Sequence, residues 1–538
     1  MPESQVLYAF KYRVQRTLHA SHKATGVWPT GVLRLFPRTF AEGTANKPYE
    51  TLSVDIGDWT PSLEPLPAPI DNHDQCRIQK NKDWGYLFGR QLQPGPVNVA
   101  VRGKSLALIA GYHSLVVHFD LEGNLLPMKR KDFDEIVATC VPGNNPKPAK
   151  AARLRSFLLP PKFIEPGARK KAARKINIMA AVVMDEDVII ISDFSRMTQI
   201  HVVSSSSLLE YPDILPGSIF WNTRLWSRFR GGPDWVFELE LALARLDSWR
   251  DTVLREDIKT PIIDVLLNVS GPAAGVGQHL ANDLLYGVPL HPDTPSSVIC
   301  EDNQAYLELR QFIPGFMRKF TSKKYLKRCA GAPNSDNPFF FNDVSNETFL
   351  RGYVQVYRTQ EVRMDVELYN RYLSRGLFDP DHTIGEPYLK PWTPATGEWK
   401  LVKVQMFDAG GNSRYHCILA KPPASWNSIT EATPFKDVST AGFSTTLGPA
   451  SFYEPMQNKL DVTQLLSLIR SGQPRKVRTG KPGRPRKAPT LKAINRIIAA
   501  PRSTPRSHVR SERGVGKENK EEGGDVVRYL TRGQAKSG

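Results

Sequence analysis

Between positions 7 and 140 the apolar residues fall in short runs, several alternating with polar ones, and Pro or Gly interrupts them every few residues. That is the period and punctuation of β-strands. Positions 51–56 and 97–101 read as single strands. Positions 106–120 read as two, with Gly111 where the turn between paired strands needs a residue tolerant of positive φ. Positions 121–124 predict the next turn and 133–138 a short helix. Two further strands, 178–183 and 188–192, flank the acidic turn Asp185-Glu186-Asp187 and predict a hairpin.

After Pro233 the spacing becomes helical. Positions 235–257 predict a helix with Phe237, Leu241, Ala244 and Trp249 on one face and Glu238, Arg245 and Asp247 turned away from it. Thr260 as N-cap and Pro261 in the first turn open another helix to 267, and 304–320 predict a third, interrupted at Pro314. Positions 349–372 and 401–419 read as strands with one helix between them. A last short helix is predicted over 461–470, with Asp461 as N-cap and Gly472 past its end. With no internal repeat and no regular βα alternation, the fold class expected is a mixed α+β globular body with a disordered basic C-terminal tail.

Four regions follow: a mostly-β region over 1–141, a Pro-rich basic linker or exposed insertion over 142–175, a mixed α/β region over 176–470 and a disordered tail over 471–538. The second has prolines at 142, 146, 148, 160, 161 and 166, a density that works against regular hydrogen-bonded structure. Its basic run over 168–175 reads either as an import or phosphate-contacting patch or as a solvated helix start.

Composition places the charge. The 538 residues are 40% apolar and 9% aromatic, enough for a large core, and carry a formal +18. Positions 471–538 hold 18 Lys and Arg against 5 Asp and Glu, so most of the excess belongs to the tail. A polyanionic partner reached by the C-terminus is expected. Five scattered cysteines, with no Cys-x-x-Cys pair, give neither a disulfide framework nor a thiolate zinc site, and fit a reducing compartment. No signal pattern opens the chain and no apolar stretch is long enough to span a bilayer, so no membrane partner is expected.

The tail contains Lys481-Pro482-Gly483-Arg484-Pro485-Arg486-Lys487. Gly483 has no Cβ to collide with a groove floor, Pro485 keeps the chain extended, and the Arg484 guanidinium is narrow enough for a minor groove. These residues resemble the AT-hook family of DNA-binding peptides, which share a Gly-Arg-Pro core with basic flanks. The resemblance covers the motif alone. It implies insertion of Arg484 into A·T-rich duplex, whose narrow minor groove deepens the negative potential, with Lys481, Arg486, Lys487, Arg475, Lys476 and Arg478 on phosphates. Beyond it, Leu491, Ile494, Ile497 and Ile498 share one helical face over 491–500, a segment suited to folding on a protein partner.

Catalytic chemistry is less clearly written. His118 and Asp120 with His201, His279, His382 or His416 have the make-up of a facial-triad iron site. Asp55, Asp120 and Asp193 lie at or near strands, as two-metal carboxylates would, but strand-end aspartates are also ordinary turn formers. Trp221, Trp226 and Trp235 with Arg224, Arg228 and Arg230 read either as a nucleic-acid stacking surface or as loop packing. His19 and His22 could share a helical face but have no partner pair. The phosphate-loop, dinucleotide, nucleophile-elbow and zinc-protease motifs are absent. The reading is therefore a nuclear, chromatin-associated DNA-binding protein, non-enzymatic and without a cofactor, whose body binds an undetermined partner. The alternative is a metal-dependent nuclease or mobile-element enzyme targeted by the tail.

Overall fold

The computed structural model describes residues 3–60 and 87–433 with breaks, the longest at 41–50, 144–153, 165–174, 376–387 and 419–430, and none beyond 433. The chain divides into Met1–Arg475 and Lys476–Gly538. The hook residues Lys481, Gly483, Arg484, Pro485, Arg486 and Lys487, their neighbours Arg475, Lys476 and Arg478, and the predicted helices over 461–470 and 491–500 lie outside the described residues.

The architecture is mixed α+β, as the pattern predicts. It opens, however, with a 22-residue helix, α1 (Ser4–Thr25), where strands were expected. Strands follow: β1 (Thr30–Leu35), β2 (Leu52–Asp55), β3 (Gly95–Arg102), β4 (Ser105–Ala110), β5 (His113–His118) and β6 (Gly123–Lys129). Then come α2 (Arg130–Val137), β7 (Cys140–Pro142), β8 (Arg155–Leu158), β9 (Lys175–Ile176), β10 (Ile178–Met184), β11 (Asp187–Asp193) and β12 (Gln199–Ser204). Nine of these strands form one sheet in the order β2-β12-β5-β4-β3-β1-β10-β11-β6. The N-terminal β region and the start of the next region are thus interleaved in one sheet.

Both faces of this sheet are covered, which explains the unbroken apolar runs in its central strands. Leu106 and Leu108 of β4, with Ile189 and Ile191 of β11, enter a core shared with Val6, Phe10 and Val14 of α1. Ala107 and Ile109 face the opposite way, onto Trp221, Leu225 and Trp226. Val188 and Ile190 back onto Phe133 and Ile136 of α2. The β4/β5 and β10/β11 hairpins form where the pattern places them. Gly111 takes the positive φ its turn requires, 64°.

The Pro-rich segment is not purely a linker. β7, β8 and β9 pair into a small sheet, and Phe157, Leu159 and Phe163 pack with α2. Of the described prolines, Pro142 ends β7 and Pro160 and Pro161 lead into the short 3₁₀ turn Pro161–Phe163, which leaves that pairing intact.

The helical part comprises α3 (Leu239–Glu256), α4 (Ile262–Leu267), α5 (Gln278–Gly287), α6 (Ser296–Glu301) and α7 (Asn303–Arg318). In α3 the buried face is Ala242, Leu246 and Val253, while Leu241 is 56% exposed; the predicted face was rotated because three leucines at alternate positions disguise the i, i+4, i+7 stripe. Nor is Asp247 idle, since Arg310 grips it at 2.7 and 2.9 Å. Pro261, not Thr260, occupies the N-cap position of α4. Pro314 does not interrupt α7, whose Ile313, Phe316 and Met317 are all buried, so packing outweighs the lost hydrogen bond. Beyond β13 (Glu361–Asp365) and α8 (Val366–Ser374), strands β14 (Tyr388–Lys390), β15 (Trp399–Asp408), β16 (Arg414–Ile418) and β17 (Glu431–Thr433) complete a five-stranded sheet with β13.

Candidate functional site

Three segments distant in sequence meet at the start of α1. Glu3 lies just before the helix in extended backbone, and its side chain crosses to the first turn of α5. There its carboxylate accepts the backbone N–H of His279 and of Leu280, each at 2.9 Å. Glu3 thus caps a helix 276 residues away, supplying two orphan N–H groups with an anion at the positive end of the helix dipole.

Backbone approach at this point is close. Ser4 donates its N–H to the Gly275 carbonyl at 3.1 Å and its hydroxyl to the Gly103 carbonyl at 3.0 Å. Gly275 has a φ of 84°, and a Cβ on Gly277 would sit 2.6 Å from Glu3 Cδ. The β3–β4 turn is anchored from behind by Asp234, which accepts the Gly103 N–H at 3.2 Å and the Tyr8 hydroxyl at 3.0 Å. Arg102 grips Glu238 at 2.8 and 3.0 Å, and Glu238 also accepts the Asp234 N–H and the Trp221 indole N–H, each at 2.9 Å.

Lys104 follows Gly103 in this anchored turn, near enough to Glu3 for the carboxylate's charge to act on it. Burial lowers the Lys104 ammonium below the usual lysine range, and the Glu3 charge offsets part of that shift. A half-buried amine of reduced basicity beside a buried carboxylate is the pairing that amine nucleophiles and proton carriers require. On the far side of the α5 turn, Asp283 holds His279 at 2.9 Å and accepts the backbone N–H groups of Gln355, Val356 and Tyr357 at 2.8, 2.9 and 3.0 Å. Tyr357 stacks on the His279 ring. The carboxylates and the N–H groups that donate to them are fixed before any ligand arrives.

No protein-family model and no curated protein matches the chain. Solved structures similar to it include a complex of Lactococcus lactis Fpg (MutM) with DNA containing an oxidized pyrimidine, at 13% identity and TM-score 0.35 over 68% of this chain and 95% of that one. MutM bound to DNA containing carbocyclic 8-oxo-G matches at 13% and 0.35 over 76% and 97%. Lactococcus lactis formamido-pyrimidine DNA glycosylase bound to DNA containing an AP site matches at 12% and 0.33 over 66% and 94%. Likeness at these TM-scores establishes neither a shared fold nor a shared activity.

The metal readings are not supported. Among the described residues no group of three or more His, Cys, Asp or Glu is arranged to hold a metal ion. Asp55 ends β2, at one edge of the strand order, and faces Arg224 at 3.4 Å. Asp193 ends β11, next to the other edge, and accepts the N–H groups of Ser195, Met197 and Thr198. These two are turn formers, with Asp120 in the loop after β5, where its carbonyl accepts the Gly123 N–H at 3.1 Å. His118 stacks on Phe229 and His201 meets the same ring edge-on; burial lowers His118 to about 4. His416 lies edge-on to Tyr357, and His382 is outside the described residues.

The tryptophans of the tryptophan and arginine cluster are packing, while Arg228 is exposed and Arg230 lies outside the described residues. Trp221, Trp226 and Trp235 are buried, and Arg224 lies against Asp55 and Asp58. His19 and His22 flank the Trp28 ring. Sequence reasoning passed over Glu3 and Lys104. The available signals were the Gly-Lys turn between two strong strands and the glycines at 271, 275 and 277 just before an apolar helix.

Proposed function

We propose that the body is an enzyme acting on damaged DNA through an amine and a carboxylate at the Glu3–Lys104 centre, and that the basic tail holds it to duplex. The observation that carries this reading is Lys104, an amine of lowered basicity facing a carboxylate fixed by two backbone N–H groups. An amine that has given up its proton condenses with a carbonyl carbon, forming a C–N bond and releasing water, and a neighbouring carboxylate carries the protons. The charge of +18 points to a polyanion, and in DNA the sugar carbon with that reactivity is C1′ of a deoxyribose that has lost its base. The hook-like residues 481–487 favour A·T-rich duplex and a nuclear, chromatin-bound setting.

The full chain is incubated with duplex containing one abasic site in the presence of borohydride, which reduces an imine to a stable amine. A covalent adduct is expected. Mass spectrometry of the trapped peptide should place the adduct on Lys104. Loss of a C2′ proton from the imine forms a C2′=C3′ double bond and expels the 3′-phosphate, cutting the strand; Glu3→Gln should slow this scission by about 10²- to 10⁴-fold, the usual worth of a general acid–base group. Absence of both adduct and scission overturns the reading.

A further inference from the structure

A cavity of about 420 Å³ lies between the segment that follows α7 and the residues Thr348, Gly352 and Tyr353. Three cations line it, Lys319, Lys324 and Arg328, together with the hydroxyl-bearing Ser322 and Thr348 and the ring of Tyr353. Lys324 and Arg328 are four residues apart, spanning a single helical turn that begins at Lys323 and the π-helical turn Leu326–Ala330. Such wide turns are uncommon and recur at binding sites. Gly352 leaves open space where a side chain would stand.

Burial lowers the Lys319 ammonium below the usual lysine range, and the Asp283 charge offsets part of that shift. None of the three cations takes part in a salt bridge among the described residues. Lys319 is held instead over the rings of Phe316, Phe320 and Tyr353, with its ammonium 5.5 to 5.7 Å from their centroids. Elsewhere in this chain comparable cations are neutralised, Arg102 by Glu238, Arg310 by Asp247 and Arg375 by Glu308. Three cations around one concave space, none of them in a salt bridge among the described residues, repel one another until an anion enters.

We propose that this cavity binds a phosphate group. A tetrahedral anion with several acceptor oxygens suits three donor-rich cations, and the volume leaves room for a sugar beside it. Lysine and arginine at the rim supply charge, and Lys319, packed on rings, supplies a fixed donor. The phosphate is either part of a nucleic-acid backbone or carried by a small molecule; the chemistry of recognition is the same. The site does not depend on imine chemistry at Glu3 and Lys104.

The test uses the full chain and a double variant, Lys324→Gln with Arg328→Gln, both exposed positions outside the Glu3–Lys104 centre. A control double variant, Lys131→Gln with Arg255→Gln, removes the same charge from exposed positions elsewhere. Inorganic phosphate and pyrophosphate binding are measured by calorimetry, and binding to an undamaged duplex is titrated across a salt series. If a backbone phosphate occupies the cavity, the logarithmic salt slope falls by about 2 in the pocket variant relative to the control, with roughly tenfold or greater weakening at low salt. Pyrophosphate binding lost in the pocket variant alone, with an unchanged duplex slope, assigns the cavity to a small phosphorylated ligand. Equal behaviour of pocket and control variants in both measurements overturns the proposal. Borohydride trapping is not part of these readouts, so either idea can fail alone.

Discussion

Glu3 receives the backbone N–H of His279 across 276 residues of chain, at 2.9 Å. One carboxylate therefore ties the first turn of α1 to the first turn of α5 and also faces Lys104. Stability and proposed chemistry share this group, and conservative substitutions can separate them.

Glu3→Ala would leave two buried N–H groups at the head of α5 without acceptors, and should destabilise the body by about 1–3 kcal/mol. Glu3→Gln keeps one acceptor oxygen and should cost less than half as much, while still removing the proton carrier. Urea unfolding of both variants, read beside strand scission, checks this. Equal stability losses for Ala and Gln would show that the cap contributes little.

Gly277→Ala should disturb the same carboxylate from the other side. Its Cβ would lie 2.6 Å from Glu3 Cδ and 2.7 Å from Oε1, so Glu3 must leave its position or the loop must shift. The expected result is a slowing of strand scission comparable to Glu3→Gln with a stability cost of about 1–2 kcal/mol. Gly315→Ala, which has open space around it, serves as the neutral control.

How much of this was legible depended on whether the signal was local. The β10/β11 hairpin could be read because β-branched runs flank an acidic turn within the span of the two strands. α1 could not, because its first seven residues, Ser4 to Phe10, are buried all round and only Val14 and Leu18 continue a helical stripe. Burial on every side erases the 3.6-residue period. The Glu3–Lys104 centre was hidden for a different reason: its parts lie at residues 3, 103–104 and 275–280, and only tertiary contact unites them. The metal readings failed because aspartates that end strands serve turns whether or not a metal is present.

Stability should respond to pH in two opposed ways. Burial disfavours the charged His279 ring, but Asp283 at 2.9 Å and Glu3 outweigh it and hold its pKa above 6.5. A raised value in the folded state stabilises fully below the unfolded value and is lost as pH rises through the folded one. Asp283 is held below 3.8, burial being outweighed by His279 and the loop N–H groups, so its contribution persists until pH falls through that lower value. Burial lowers His113 to about 4, so folding is increasingly penalised as pH falls from its ordinary 6.5, by at most about 3 kcal/mol. Urea midpoints between about pH 4 and pH 9 should therefore decline on both sides. His279→Gln should flatten the alkaline side and His113→Gln should make the acid side shallower, the rest of it coming from His118, which burial also lowers to about 4; parallel profiles for wild type and both variants would refute the assignment.

The tail makes a prediction of its own, because groove insertion and phosphate contact leave different signatures. Arg484 stands between Gly483 and Pro485, the setting in which a guanidinium can enter a narrow minor groove, whereas Lys476 lies outside the core of the motif. Arg484→Ala should abolish preference for A·T-rich over G·C-rich duplex. Lys476→Ala should weaken both duplexes alike and reduce the logarithmic salt slope by about 1. Titrating the full chain and both variants against the two duplexes at several salt concentrations decides it. Because the cavity of Lys324 and Arg328 would also contribute to the slope, the comparison must be repeated with those two residues neutralised; an A·T preference that survives Arg484→Ala in that background would place the selectivity outside the hook.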